Sequence, residues 1–470
     1  METRKYKRIT DEPENPFFSI IHGQEVAIIP EYTLESGIVL KDFQVAYKTW
    51  GKLNPERTNV MVICHALTGS SDVGDWWGPL IGPGKAFDTS RFFVICLNSL
   101  GSPYGSASPC TKNSETGQCF GPEFPLVTVR DDVHIHRLIL DDLGVRQIAA
   151  AIGGSMGGML VLEYAFFGPD YVRSIVPLAT SSRHSAWCIS WGEAQRQCIY
   201  SDPKYDDGYY SFEDPPSSGL GAARMSALLT YRSRNSFESK FGRNIPDPTR
   251  HRTINAPQRQ PETESEENWA VHNDGFKHGK KLASSSASST DATPEQESLN
   301  PLSRSNSGTS INGTKRKPQT YFTAQNYLRY QGDKFVKRFD ANCYIAITRK
   351  LDTHDISRDR AQDVHVALSS LTQPALVIGI ESDGLFTFAE QQEIASYMPN
   401  ARLEKIDSPE GHDAFLLEFA EVNRLIVDFL SETLPDIMGQ EGAPMLSDKE
   451  EVSDNLYSST VGEVEDLTTW

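Results

Sequence analysis

Long apolar runs and an excess of basic residues are both missing from this sequence. No stretch reaches the roughly 18 consecutive apolar residues that a transmembrane helix requires, so we expect no membrane span. Lysine and arginine number 45 against 63 acidic residues, and the formal net charge of -18 disfavours nonspecific binding to nucleic acids or anionic membranes. The opening segment METRKYKRITDEPENPF lacks the apolar core of a secretory signal, and its early acids argue against a transit peptide.

Cysteine is scarce, and its spacing forms no recognisable pairs. The seven cysteines are an odd number, and no two of them make a CxxC motif. This pattern excludes a disulfide framework and a typical zinc site. We therefore expect reduced thiols, a cytoplasmic location and no metal.

Large apolar residues are sparse in two stretches of the chain. Residues 243–318 are rich in serine, proline, asparagine and charged residues, and too few apolar side chains remain to build a core. This length is unusual for a loop, so we expect a long disordered insertion. Residues 439–470 hold eight acids against one lysine, which predicts an acidic disordered tail.

Elsewhere, short β-branched runs alternate with helical patterns. Residues 129–142 have helical spacing, and the run MLVLEYAFF predicts a second helix that ends at a Gly-Pro pair. The runs 59–64 and 91–98 are nearly all apolar, as expected of strands buried on both faces. Further predicted strands are RQIAAAI, 173–179, 374–380 and 401–407. Such alternation is typical of an α/β fold with a mostly parallel sheet.

One serine stands between two glycine pairs at the junction of a predicted strand and helix. Residues 153–157, GGSMG, fit the pattern G-x-S-x-G, in which the serine occupies the apex of a strained turn with its oxygen exposed. An ordinary tight turn would also favour glycine and serine. The flanking strand and helix favour the catalytic interpretation, so Ser155 is a candidate nucleophile.

A serine nucleophile needs a base and an acid, and late strands supply both in the expected chain order. Asp383 follows the strand that ends at residue 380, and His412 follows the strand that ends near residue 407. Glu381 is a competing acid, but Asp383 sits further into the loop. With 11 histidines in the chain, the alternative for His412 is a surface or helix-capping role.

The transition state also needs two backbone N–H donors for its oxyanion. Met156 follows the nucleophile and supplies the first donor in this fold. The loop CHALTGSSDVGDWW after the strand 59–64 supplies the second, with Leu67 as the probable donor, unless it is an ordinary connecting loop. Trp76 and Trp77 fit a pocket wall and the core equally well.

Several stretches together resemble the homoserine O-acetyltransferases, particularly the fungal type. These stretches include CHALTGS, LNSLGSPYGSASP, GGSMGGM, GLGAARMSALLTYRS and EGHDAFLLE. The resemblance implies an α/β-hydrolase fold and a ping-pong transfer from acetyl-CoA, a co-substrate, with no bound cofactor. Ser155 would carry the acetyl group, with His412 as base and Asp383 orienting it. The acceptor, L-homoserine, would be held at its carboxylate by Arg224 and at its amino group by Asp413.

The resemblance also predicts the organisation of the chain. The α/β-hydrolase core would comprise 17–180 and 351–434, and a helical lid region would span 181–350 with the insertion inside it. The lid would exclude water and offer a surface for a possible homodimer. The acidic tail would follow at 439–470.

Other readings of the same residues stay open. A related serine O-acyltransferase, a succinyl-CoA user or a deacetylcephalosporin C acetyltransferase would share the triad and most motifs. A plain esterase would transfer the acetyl group to water, and a noncatalytic binding protein would usually lack one member of the triad.

Overall fold

The computed structural model describes residues 4–246, 262–276, 320–440 and 442. Within these residues, the strands form one sheet in the order β1-β2-β3-β5-β4-β6-β7-β8-β9. The strands are β1 (Lys7–Ile9), β2 (Glu25–Thr33), β3 (Val39–Trp50), β4 (Val60–Cys64), β5 (Phe93–Leu97), β6 (Ile148–Gly154), β7 (Ile175–Leu178), β8 (Ala375–Ile380) and β9 (Ala401–Ile406).

The six strands from β4 to β9 pair in parallel, which confirms the α/β prediction. Strands β4, β6, β7 and β8 are buried at every position, as their apolar sequences require. Successive residues of β4 point to opposite faces: Val62 joins one hydrophobic core, and Ile63 joins the other. The sheet therefore separates two cores, and both need helices to cover them.

Strands β1 to β3 are antiparallel, and the sequence did not reveal them. They mix charged and apolar residues, because an antiparallel strand can leave part of its surface in water. The ordered fold therefore begins before residue 17, the predicted start of the core.

Helices cover both faces of the sheet. Val133 of the second helix and Leu160 of the third pack on one face, and Ile426 of the twelfth packs on the other. The helices are α1 (Val73–Trp76), α2 (Val129–Asp142), α3 (Met156–Ala165), α4 (Ala186–Tyr200), α5 (Ser217–Tyr231), α6 (Arg234–Lys240), α7 (Glu264–His272), α8 (Thr323–Phe335), α9 (Ala341–Asp352), α10 (Val364–Ser369), α11 (Phe388–Tyr397), α12 (Phe419–Thr433) and α13 (Pro435–Met438). No helix in these described ranges has the length and apolar surface needed to cross a bilayer.

Helices α4, α5, α6, α8 and α9 form the lid, and they arise in the stretches 181–240 and 321–350 that the sequence predicts to be helical. Helix α4 packs against α5 and α9, and α5 packs against α8. A buried ion pair between Asp132 of α2 and Lys350 of α9 joins the lid to the core. The domain boundaries themselves stay predictions.

The predicted insertion, 243–318, is described only in part. Its segments 247–261 and 277–318 lie outside the described residues, as does nearly all of the predicted tail. Helix α7 departs locally from the predicted lack of structure. The Thr263 side chain accepts a hydrogen bond from the Glu266 N–H at its start, and Asp274 pairs with Arg329 of α8 at 2.9 Å.

Candidate active site

Ser155 occupies the turn between β6 and α3. Its backbone φ of 59° and ψ of -126° lie in a region that residues other than glycine rarely adopt. The Ser155 N–H donates to the Leu178 carbonyl at 3.0 Å, and the Thr180 hydroxyl donates to the Ser155 carbonyl at 2.8 Å. The neighbouring strand therefore holds the backbone in this strained conformation.

The glycines around Ser155 are required by close backbone approach. A Cβ at Gly157 would overlap the Cys64 carbonyl oxygen, and one at Gly153 would lie 2.6 Å from the Gly157 oxygen. Helix α3 thus starts directly against β4. The N–H groups of Gly158 and Met159 donate to the Ser155 carbonyl at 3.0 and 3.3 Å, and Met156 is the first residue of the helix, directly after the nucleophile.

Asp383 and His412 meet in the loops that follow β8 and β9. One Asp383 oxygen accepts hydrogen bonds from the N–H groups of Leu385 at 2.8 Å and Phe386 at 3.0 Å. The other oxygen lies 2.7 Å from Nδ1 of His412. The backbone thus fixes the carboxylate, and the carboxylate fixes the imidazole ring with Nδ1 toward the acid.

Glu381, the competing acid, points elsewhere. Its carboxylate pairs with Lys405 on the surface, where the Glu381 side chain is 60% exposed. Aromatic rings surround His412 instead, with Phe386 and Phe415 each 5.4 Å away between ring centroids. Among the two candidate acids, Asp383 therefore makes the contact that a base-orienting group needs.

A cleft opens over the serine, between the sheet and the lid. Four of the predicted site residues line it: Leu67, Ser155, His412 and Asp413. The rest of the wall is largely apolar and comes from the lid and the loop after β8, with Cys188, Trp191, Thr230, Tyr231, Leu351 and Leu385 among its residues.

Arg224 stands behind the wall of this cleft. Its side chain is 1% exposed, and its guanidinium lies 5.5 Å from the ring centroid of Tyr231 and 5.0 Å from that of Phe335. Tyr231 itself lines the cleft. The structure thus places Arg224 one aromatic ring away from the open volume of the cleft.

The loop that carries Leu67 is held by a histidine to which the sequence argument gave no role. Burial lowers the pKa of His65 to about 4, so its ring is neutral. Nε2 accepts a hydrogen bond from the Ser99 N–H at 2.9 Å, which leaves Nδ1 to donate to the Ala66 carbonyl at 2.7 Å. Its position directly after a strand, within CHALTGS, was the available signal.

Asp413 also has a partner that sequence reasoning missed. Arg232, at the end of α5, lies 2.9 Å from the Asp413 carboxylate and also pairs with Glu410. The side chain of Arg232 is 5% exposed. Its place after Tyr231 in the quoted stretch LLTYRS is the only signal that the sequence offered.

Two further titratable groups in the cleft wall are neutral. Burial lowers the pKa of His184 to about 3 and raises the pKa of the Cys188 thiol to about 12. Neither group offers a charge or a thiolate at neutral pH. Trp76 and Trp77 prove to be core residues, and Trp77 donates a hydrogen bond to the Phe415 carbonyl at 3.0 Å.

Comparisons with known proteins agree with this architecture. The family model described as "alpha/beta hydrolase fold" matches residues 59–419. A homoserine O-acetyltransferase of Ascobolus immersus is 61% identical, over 99% of this chain and 98% of the relative. A homoserine O-acetyltransferase of Schizosaccharomyces pombe is 56% identical, over 98% of this chain and 96% of the relative. The solved structure of a homoserine O-acetyltransferase from Bacillus anthracis is 20% identical in sequence and has a TM-score of 0.67. The match covers 90% of this chain and 99% of that structure's chain, and it supports the fold. With relatives this similar along nearly its whole length, the chain belongs to the homoserine O-acetyltransferase family.

Proposed function

We propose that the protein transfers the acetyl group of acetyl-CoA to the hydroxyl of L-homoserine and releases O-acetyl-L-homoserine, a step of amino-acid biosynthesis. One observation carries this proposal. Ser155 and His412 line the same cleft, and the Asp383 carboxylate lies 2.7 Å from Nδ1 of the His412 imidazole. The names of relatives matched over nearly their whole length supply the transferred acetyl group and the acceptor, homoserine, and acetyl-CoA as the donor is part of the proposal.

The first half of the reaction acylates the enzyme. His412 takes the proton of the Ser155 hydroxyl through Nε2, and the serine oxygen attacks the thioester carbonyl. The N–H groups of Met156 and Leu67 stabilise the tetrahedral oxyanion. The intermediate then collapses, the C–S bond breaks, and the thiol of CoA leaves with the proton that His412 returns.

The second half transfers the acetyl group to the acceptor. Arg224 attracts the carboxylate of homoserine, and Asp413 binds its ammonium group. His412 removes the proton of the homoserine hydroxyl, whose oxygen attacks the acetyl-serine carbonyl. The Ser155–acyl bond breaks, and His412 returns the proton to the serine.

Water competes with homoserine for the acetyl-serine, and the cleft wall supports a preference for the amino acid. Leu351 and Leu385 line the site beside Trp191, so little polar surface is available to order water. Water also lacks the two charged groups that Arg224 and Asp413 bind. An esterase with the same triad would need neither residue.

CoA release from acetyl-CoA tests the proposed function, with L-homoserine, with L-serine and with neither. We expect rapid, sustained release only with L-homoserine, and slow release from succinyl-CoA in the same assay. Equal release without an amino acid would instead identify a thioesterase. Sustained release with L-serine would favour one of the related acyltransferases.

Asp383→Asn should lower kcat by about 10⁴-fold, because an amide can force the wrong imidazole tautomer without changing the shape of the site. Steady-state CoA release measures the effect. Glu381→Gln is the matched control, since that surface carboxylate pairs with Lys405, and we expect it to retain nearly full activity. The reverse ranking of the two variants would assign the role of the acid to Glu381.

A homodimer and a cytoplasmic location accompany this proposal as predictions. Analytical ultracentrifugation of the purified chain addresses the dimer.

A further inference from the structure

The lid packs against the loop that carries His412. This segment, residues 408–413, is termed the histidine loop. At its centre Gly411 has a φ of 74°, and a Cβ there would overlap the Ser233 nitrogen at the junction of α5 and α6. The Ser236 hydroxyl donates to Glu410 at 2.7 Å, and the Ser233 hydroxyl donates to the Pro409 carbonyl. The histidine loop is therefore packed directly against the lid.

Four charged side chains join these two segments. Arg232 pairs with Asp413 and Glu410, and Lys240 of α6 pairs with Glu410 at 2.5 Å. Two cations and two anions make the cluster neutral overall. Glu410 has two cationic partners in it, whereas Arg232 is the member of the cluster that reaches Asp413.

We propose that Arg232 is a positioning residue for the acceptor half of the reaction, which holds the Asp413 carboxylate ionised and oriented toward the ammonium group of the amino-acid substrate. This inference rests on the proposed function and extends it to a residue that does not itself line the cleft. Arg232 acts through Asp413 and takes no part in forming the acetyl-serine.

The physical basis is the burial of the Asp413 carboxylate, whose side chain is 8% exposed. A buried carboxylate that loses its cation gains a proton instead of bearing an uncompensated charge. A neutral Asp413 would no longer attract the substrate ammonium, and its side chain would be free to rotate. The Arg232 guanidinium, whose Nε lies 2.9 Å from one Asp413 oxygen, lowers this cost through its charge.

Removal of Arg232 should therefore make homoserine binding depend on pH. With a neutral Asp413 at low pH, the homoserine KM of an Arg232 variant falls as rising pH returns the carboxylate to its charged form. The titratable and charged groups around this pair come from α5, α6, α8 and the histidine loop: Tyr231, Arg232, Lys240, Tyr327, Glu410, His412 and Asp413. The variant must be compared with the wild type at each pH, because other groups of this set also respond to pH.

Arg232→Met should raise the KM for L-homoserine at least about tenfold at neutral pH, and the ratio to wild type should shrink as the pH rises. The burst of CoA released from acetyl-CoA without acceptor, measured by stopped flow, should keep its rate. Arg130→Met is the matched control. Arg130 lies on α2, is also largely buried, and pairs with two carboxylates, those of Glu35 and Glu163. We expect it to leave the homoserine KM unchanged.

Arg232→Lys serves if the methionine variant does not fold. Lysine keeps one charge but cannot bridge Asp413 and Glu410 with a planar fork, so the KM should rise about threefold at an unchanged burst rate. In an Asp413→Asn background, Arg232→Met should add no further change in KM. An unchanged KM in both Arg232 variants would overturn the positioning role. So would a fall in the burst rate as large as the rise in KM. Failure of the wild type to respond to homoserine would overturn the proposed function instead.

Discussion

Ser155→Ala should abolish acetyl transfer and lower kcat by about 10⁴-fold or more, because the enzyme loses the hydroxyl oxygen that forms the acetyl ester. The variant keeps Cβ at the same strained φ of 59°, so the fold and its stability should change little. CoA release in the presence of homoserine measures the loss, and mass spectrometry of the protein after mixing with acetyl-CoA should find no acetyl adduct.

Ser174→Ala is the matched control for this substitution. Ser174 is also buried, and its hydroxyl donates to the Ala149 carbonyl at 2.8 Å on the strand that precedes Ser155. We expect this variant to lose some stability and keep its turnover. Near-normal turnover by a folded Ser155→Ala protein would show that another group is the nucleophile.

Lys350→Met should lower the free energy of unfolding by about 3–5 kcal/mol, because it leaves the Asp132 carboxylate buried without its cation. Both side chains are at most 1% exposed, and Lys350 also donates to the Leu100 carbonyl at 2.7 Å. Chemical denaturation monitored by tryptophan fluorescence measures the effect. Lys52→Met, at an exposed lysine, should cost no more than about 0.5 kcal/mol.

The loss caused by Lys350→Met should depend on pH in a defined direction. Burial already raises the pKa of Asp132 above its ordinary value, although Lys350 opposes the shift. Without Lys350 the pKa in the folded state rises further, so the penalty grows as pH rises above the pKa of the unfolded chain. It shrinks as pH falls toward the pKa of the unfolded chain.

A second variant tests the cause of this instability. The double variant Asp132→Asn, Lys350→Met carries no buried charge, and the asparagine oxygen can still accept the Leu100 N–H, which lies 3.0 Å from the Asp132 oxygen. Most of the lost stability should return in this variant. An equally unstable double variant would mean that packing of the lysine stem, and not its charge, supports the α2–α9 contact.

The parallel core and the central contacts of the site follow from local signals in the sequence. Buried parallel strands are nearly all apolar, so the strands from β4 to β8 could be located from short runs of residues. Strand β9 lies at the edge of the sheet, is only partly buried and carries charged residues. The carboxyl ends of such strands share one edge of the sheet. Asp383 and His412 each follow a strand, and this placement predicts that they lie close together; His412 Nδ1 is 2.7 Å from the Asp383 carboxylate.

Other features depend on contacts between distant segments, which no short pattern encodes. Strands β1 to β3 are partly solvated and carry charged residues, so their sequences lack the apolar signature of the parallel strands. Arg232 meets Asp413 only because the lid folds over the histidine loop. The assignment of Trp77 to the core depends on Phe415, which comes from the far end of the chain.

The order of the strands has a consequence for synthesis of the protein. The nucleophile loop follows β6, whereas the acid and the base follow β8 and β9, the last two strands of the sheet. Chains emerge from the ribosome with the N-terminus first, so Ser155 is made long before His412. On the proposed roles, a growing chain or a prematurely terminated fragment holds a serine with no base to activate it. Acetyl-CoA therefore meets a reactive nucleophile only when the finished chain has closed its sheet and the lid is in place to admit homoserine.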